Sequence, residues 1–177
     1  MPITRLNHAV LYVRDLAETV RFYTDVLGFD VVNMTPDGFN GAAFLRAAGS
    51  TNDHDLGVFA VGPGAGPSGA GRSTVGLYHL AWEVDTLDEL ESVQERLDAA
   101  GALVGASDHG TTKSLYGKDP NGIEFEIVWL IPADLLDDTA LEARKSIRPL
   151  DLAKEKQRYG ATTRGGVGIS QPTTSVI

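Results

Sequence analysis

One hydrophobic grammar occurs twice along this chain. Leu6-Asn-His-Ala-Val-Leu-Tyr-Val13 reads as a strand, and Leu16, Val20, Tyr23 and Leu27 then recur at helical spacing. Asp15 with Glu18 three residues on supplies an N-terminal cap, and Gly28 stands at the C′ position. Strand-like runs follow at Phe29–Met34, Ala42–Ala47 and Asp55–Val61. The pattern restarts with the strand Leu77-Tyr-His-Leu-Ala-Trp-Glu-Val84. Thr86-Leu-Asp-Glu89 is a second capping box, and Leu87, Leu90, Val93 and Leu97 form an apolar stripe that ends at Gly101. Three strand-like runs close this half, at Ala102–Ala106, Lys113–Tyr116 and Ile123–Leu130. The expectation is an α+β chain of two βαβββ modules, 1–62 and 75–130, each with an apolar sheet face that pairing would cover.

Between the modules, Gly62-Pro-Gly-Ala-Gly-Pro-Ser-Gly-Ala-Gly-Arg72 contains a formal G-x-G-x-x-G at Gly64, Gly66 and Gly69. A strand rather than a helix follows, so no helix N-terminus is present to hold a pyrophosphate, and the run reads as a linker over 62–74. Past Pro132 the character changes again. Ala133–Ser146 and Leu150–Tyr159 are expected as helical pieces of an extension over 131–177, whose last part, Gly160–Ile177, has the composition of an unstructured tail.

Composition narrows the partners. A net charge of −9 argues against nucleic acid and anionic membranes, and the absence of cysteine removes disulfides, thiolate metal sites and cysteine nucleophiles. No apolar run is long enough to span a bilayer and the N-terminus lacks a signal-peptide pattern, so a cytoplasmic protein is expected.

Chemistry gathers between Asp108 and Glu126. The turn Asp119-Pro-Asn-Gly122 leads into a strand in which Ile123, Phe125, Ile127 and Trp129 share one face and Glu124, Glu126, Val128 and Leu130 the other. An apolar outer face implies a covering layer, so the glutamates look into a second enclosed space, where a carboxylate needs a cation or several donors. A histidine in a strand is most often a hydrogen-bonded core residue. Here, however, His8 and His79 occupy the same place in the two modules, each third in its strand. Pseudo-twofold pairing of the modules into an open barrel would bring them together, and Glu126 would complete a two-histidine, one-carboxylate face with open positions, acceptable to Zn²⁺, Mn²⁺ or Fe²⁺.

Residues 5–130 resemble the vicinal oxygen chelate superfamily, which includes glyoxalase I, fosfomycin and bleomycin resistance proteins, and extradiol ring-cleaving dioxygenases. The carriers are Leu6-Asn-His8, Phe22-Tyr-Thr-Asp-Val-Leu-Gly-Phe29, Leu77-Tyr-His79 and Asp119-Pro-Asn-Gly-Ile-Glu-Phe-Glu126. The resemblance implies a metal-centred open barrel in which His8, His79 and Glu126 are the ligands. It also implies that His54, in His54-Asp55-Leu-Gly-Val-Phe59, is the acid–base residue of the single-domain extradiol dioxygenases, and that His109 and Tyr116 contact substrate oxygens. Asn52-Asp53-His54-Asp55 reads equally as an ordinary polar loop. The glyoxalase I branch would take a fourth ligand from the last strand of the first module, but Leu56–Val61 offers no ligating side chain. The implied activity is therefore an Fe²⁺-dependent extradiol-type dioxygenase, with Mn²⁺, Zn²⁺ or Ni²⁺ as alternative metals. It would act on a catechol-like aromatic substrate with O₂. The alternatives are a glyoxalase-like lyase or isomerase and a small-molecule resistance protein. A homodimer or larger assembly is expected, because each module leaves sheet edges to be covered.

Overall fold

The computed structural model of the chain describes residues 2–3, 5–34 and 40–166. It divides into two compact units, one of residues 1–76 with 119–123 and one of residues 77–118 with 124–177.

In the first unit, β1 (Ala9–Val13) is followed by α1 (Leu16–Arg21), β2 (Phe29–Val32), β3 (Ala42–Ala47) and β4 (Leu56–Ala60). The sheet runs β1-β4-β3-β2, with β1 parallel to β4 and the other pairs antiparallel. The Asp15 carboxylate accepts the Glu18 N–H at 2.8 Å and starts α1, which widens into a π-helical segment over Phe22–Val26. Gly28, at φ 77°, then turns the chain out of the helix, a conformation that suits a residue without Cβ. Val13, Tyr23, Leu45, Leu56 and Val58 form the core.

The Asp-Pro-Asn-Gly turn belongs to this unit. The Asp119 carboxylate accepts the N–H groups of Asn121 and Ile123, while Asn121 accepts the Arg14 N–H at 2.8 Å and donates to the Thr19 hydroxyl at 3.0 Å. The turn thereby satisfies polar groups where β1 passes into α1.

The second unit repeats the order: β5 (His79–Glu83), α2 (Leu87–Ala99), β6 (Leu103–Asp108), β7 (Thr112–Lys118) and β8 (Glu124–Leu130). Its sheet runs β5-β8-β7-β6, again with the first and last strands of the module parallel and adjacent. Both halves of the Thr86–Glu89 capping box form, and Leu87, Leu90, Val93 and Leu97 are all buried. The βαβββ repeat read from the sequence is thus the fold, and each sheet remains open rather than closing on itself.

The extension departs from the expected continuous helix. Pro132 and the cap Asp137 break the run 133–146 into a 3₁₀ turn (Ala133–Leu135) and α3 (Asp138–Ala143). A short strand, β9 (Arg148–Pro149), then adds to the β6 edge, and α4 (Leu152–Tyr159) packs on α2. The described part of the Gly-rich tail is also held. The Trp129 indole donates to the Thr163 carbonyl at 3.3 Å, and the Gly165 N–H donates to the Asp85 carbonyl at 2.7 Å. Residues 167–177 lie outside the described residues.

Candidate active site

Alternation along β8 decides what faces where. Phe125, Ile127 and Trp129 are buried on the side that α2 covers, whereas Glu124 and Glu126 are half-buried on the other. Glu126 pairs in register with Tyr116 of β7 and Ala81 of β5. His79, two residues before Ala81, therefore shares its face. The His79 Nε2 lies 3.1 Å from Glu126 Oε2.

The other carboxylate oxygen is also engaged. The Tyr116 hydroxyl donates to Glu126 Oε1 at 3.2 Å, and His109 Nε2 stands 2.8 Å from the same hydroxyl. Since the phenol proton points at Glu126, this chain of contacts is satisfied when His109 carries its proton on Nε2. His79, Glu126, Tyr116 and His109 thus form one connected polar row. Burial, then the charge of Glu126 and its hydrogen bond, push the Tyr116 phenol up to about 12, so it stays a donor at neutral pH.

Two of the three expected ligands are thus adjacent, an imidazole nitrogen and a carboxylate oxygen of the type that binds first-row divalent metals. The His79 Nδ1 is buried without a hydrogen-bond partner, so the ring's strongest contact is the one with Glu126. The donor pair fits a divalent cation.

His8 belongs to the first unit, exposed one residue before β1, with its Nδ1 2.7 Å from Asn7 Oδ1 and its ring 4.6 Å from that of His54. Among the described residues, no group of three or more His, Cys, Asp or Glu side chains is gathered as a metal set. The geometry thus brings His79 to Glu126, and His8 to His54.

His54 lies on the loop between β3 and β4. Its side chain is only 14% exposed, with Nδ1 3.0 Å from Asp53 Oδ2 and the Phe44 ring edge-on at 5.0 Å. The loop is built around the buried Asp55, whose carboxylate accepts from the Ala47 N–H, the Ser50 hydroxyl and the Asn52 amide at 2.6–2.9 Å. Asp55 orders the loop that carries His54, which sequence alone left readable as a plain polar turn. The Gly-rich linker contains one bridge, Gly71 with Thr74, and leads into β5 rather than a helix.

The sequence profile described as the Glyoxalase/Bleomycin resistance protein/Dioxygenase superfamily matches residues 5–127. The catechol-2,3-dioxygenase of Bacillus subtilis (strain 168) is 34% identical over 123 residues, covering 68% of this chain and 40% of that protein. The biphenyl-2,3-diol 1,2-dioxygenase 3 of Rhodococcus globerulus is 34% identical over 124 residues, covering 70% of this chain and 62% of that protein. The chain therefore spans less than two thirds of the length of these relatives. Among solved structures, a glyoxylase/bleomycin resistance protein/dioxygenase domain from Frankia sp. EAN1pec superposes with a TM-score of 0.57 at 23% identity, covering 72% of this chain and 92% of that one. With the repeated βαβββ topology and the profile match across both modules, this chain is a member of the glyoxalase/bleomycin resistance/dioxygenase, or vicinal oxygen chelate, superfamily.

Proposed function

We propose that this chain is an extradiol-type dioxygenase that cleaves a catechol-like ring with O₂, using Fe²⁺ held by His8, His79 and Glu126. The observation that carries this reading is the polar row His79–Glu126–Tyr116–His109. It puts a histidine and a tyrosine, the residue types expected to contact substrate, directly against a His–Glu pair on one sheet face. The relatives named as catechol and biphenyl-diol dioxygenases support the same branch. β4 carries Leu56, Gly57, Val58, Phe59 and Ala60, none of which supplies the fourth ligand a glyoxalase would use. His8 is assigned by its equivalence to His79 in the repeat.

When bound, the metal supplies the redox chemistry and a positive charge that favours an ionised vicinal diol. The remaining work falls to the protein. His54 removes the proton of a catechol hydroxyl, the role of a positioned general base. His109 would turn its Nε2–H from the Tyr116 oxygen to a substrate oxygen and stabilise charge developing there. With Glu126 engaged by the metal, the Tyr116 hydroxyl would be released to donate to a second substrate oxygen. The sheet wall of Phe125, Ile127 and Trp129 closes the opposite side to water. β1 and β5 are edge strands of their sheets, and β1 exposes Val10 and Tyr12. Pairing with a second copy to give a homodimer is part of the same proposal.

The deciding experiment is anaerobic reconstitution with Fe²⁺ followed by O₂ uptake over a panel of catechols. A yellow ring-fission product is expected. Turnover of a hemithioacetal without O₂ consumption would instead assign the protein to the glyoxalase branch.

A further inference from the structure

The polar row ends at His109, which sits in the tight loop joining β6 to β7. Its backbone N–H donates to Thr112 and its carbonyl accepts from Thr111. Both flanking residues are gripped from the far side of the sheet by one lysine. Lys113 Nζ donates to Asp108 Oδ1 at 2.5 Å and to the Gly110 carbonyl at 3.2 Å, and also pairs with Glu155 Oε2 at 3.0 Å. Asp108 Oδ1 in turn accepts the Gly110 N–H at 2.8 Å, while Arg148 binds Oδ2 at 2.7 Å.

Lys113 is 1% exposed. An ammonium that far from water is costly unless paired and fully hydrogen-bonded, and an apolar side chain of similar size would hold the strand about as well. The charge therefore does something that packing alone would not. Strand alternation places Lys113 with Leu115 and Gly117 on the face away from Tyr116, so it touches neither the ligand pair nor the polar row.

The outer partners of this cluster come from the C-terminal extension. Glu155 lies on α4 and Arg148 on β9, while α3 packs against Gly110 itself. Gly110 has φ 82°, and a Cβ there would meet the backbone of Arg144 and stand 2.6 Å from the Ala140 carbonyl oxygen.

We infer that Lys113 is a positioning residue for His109, and that residues 131–166 serve as the outer support that fixes this histidine toward the reacting face. The inference rests on the role proposed for His109, but its structural content can be tested without turnover.

Two variants are measured side by side, Lys113→Met and Glu155→Gln, the second keeping side-chain shape while removing one charge of the cluster. Folding is checked by circular dichroism. The imidazole nitrogen resonances of the metal-free protein are then recorded by NMR, each of the four histidines being assigned by single substitution. Both variants should move or broaden the His109 signals and leave those of His8 and His54 in place. With Fe²⁺ and a catechol, kcat/KM should fall by about 10-fold to 10²-fold at unchanged metal content. An unaltered His109 signal in either folded variant overturns the inference, whatever the activity. A shifted His109 signal in a protein whose wild type cleaves no catechol upholds the positioning and overturns the reaction.

Discussion

His79 and Glu126 meet Nε2 to Oε2 at 3.1 Å across two parallel strands, although nearly the whole second module separates them in sequence. An imidazole nitrogen and a carboxylate oxygen in that relation could both bind one cation. Because metal ligands must be deprotonated to bind, metal affinity should fall in acid, as measured by metal titration across pH.

The metal assignment predicts roughly one divalent ion per chain in protein reconstituted with Fe²⁺ or Mn²⁺. His79→Ala and Glu126→Ala should each lose it, as measured by metal analysis after gel filtration. Full retention by Glu126→Ala would remove the carboxylate from the ligand set.

His54 and His109 should fail in different ways. His54→Phe is expected to keep metal and catechol binding while turnover falls about 10²–10⁴-fold, the usual contribution of a positioned acid–base group. His109→Phe should raise KM along with lowering kcat, because the hydrogen bond it removes already exists in the ground state. Steady-state kinetics with one authentic catechol separates the two. Wild-type turnover by His54→Phe would leave that histidine a loop residue.

Tyr116 offers a test that needs no substrate. Burial and the neighbouring Glu126 charge raise its phenol to about 12 from the ordinary 10.0, so the phenol should remain protonated at pH 11 in an ultraviolet titration. Glu126→Gln removes the charge and should bring the titration down toward the ordinary value. The linked effect on folding has a definite sign. Because the folded-state value is the higher one, stability is unaffected below about pH 10 and falls between there and about pH 12, where the unfolded chain ionises first.

Much of this fold could be read from side-chain spacing. Thr86 and Glu89 close a capping box around a stripe of four apolar residues, and both partners and stripe lie within one helix. Ala42–Ala47 is a strand with the bounds the alternation gave. Glu126 faces away from Phe125 and Trp129 for the same local reason. What stayed hidden depends on partners distant in sequence. Lys113, in the polar run Asp-His-Gly-Thr-Thr-Lys, looks like a solvated charge, and only Glu155 and Asp108 in three dimensions explain its burial. Leu6–His8 read as strand but precede β1, because the first ladder bond is made by the Ala9 N–H to the Asp55 carbonyl. The partners of the extension are hidden for a similar reason. Its Gly-rich end is poor in apolar residues, yet it finds carbonyl and N–H partners at Asp85, Trp129 and Leu130 that no local pattern announces.

The parallel pairing of β5 with β8 also bears on how the second module folds. Neighbouring antiparallel strands can zip from a short turn, but β5 must wait for β8 until α2, β6 and β7 have been laid down between them. That closure orders the longest loop in the module and so carries its largest entropy cost. The His79–Glu126 pair proposed to hold the metal is created by the same event, since its two halves sit on those two strands. An ion bound there would be withheld from chains that have not completed the pairing, and would stabilise those that have. Added metal should slow unfolding more than it speeds folding.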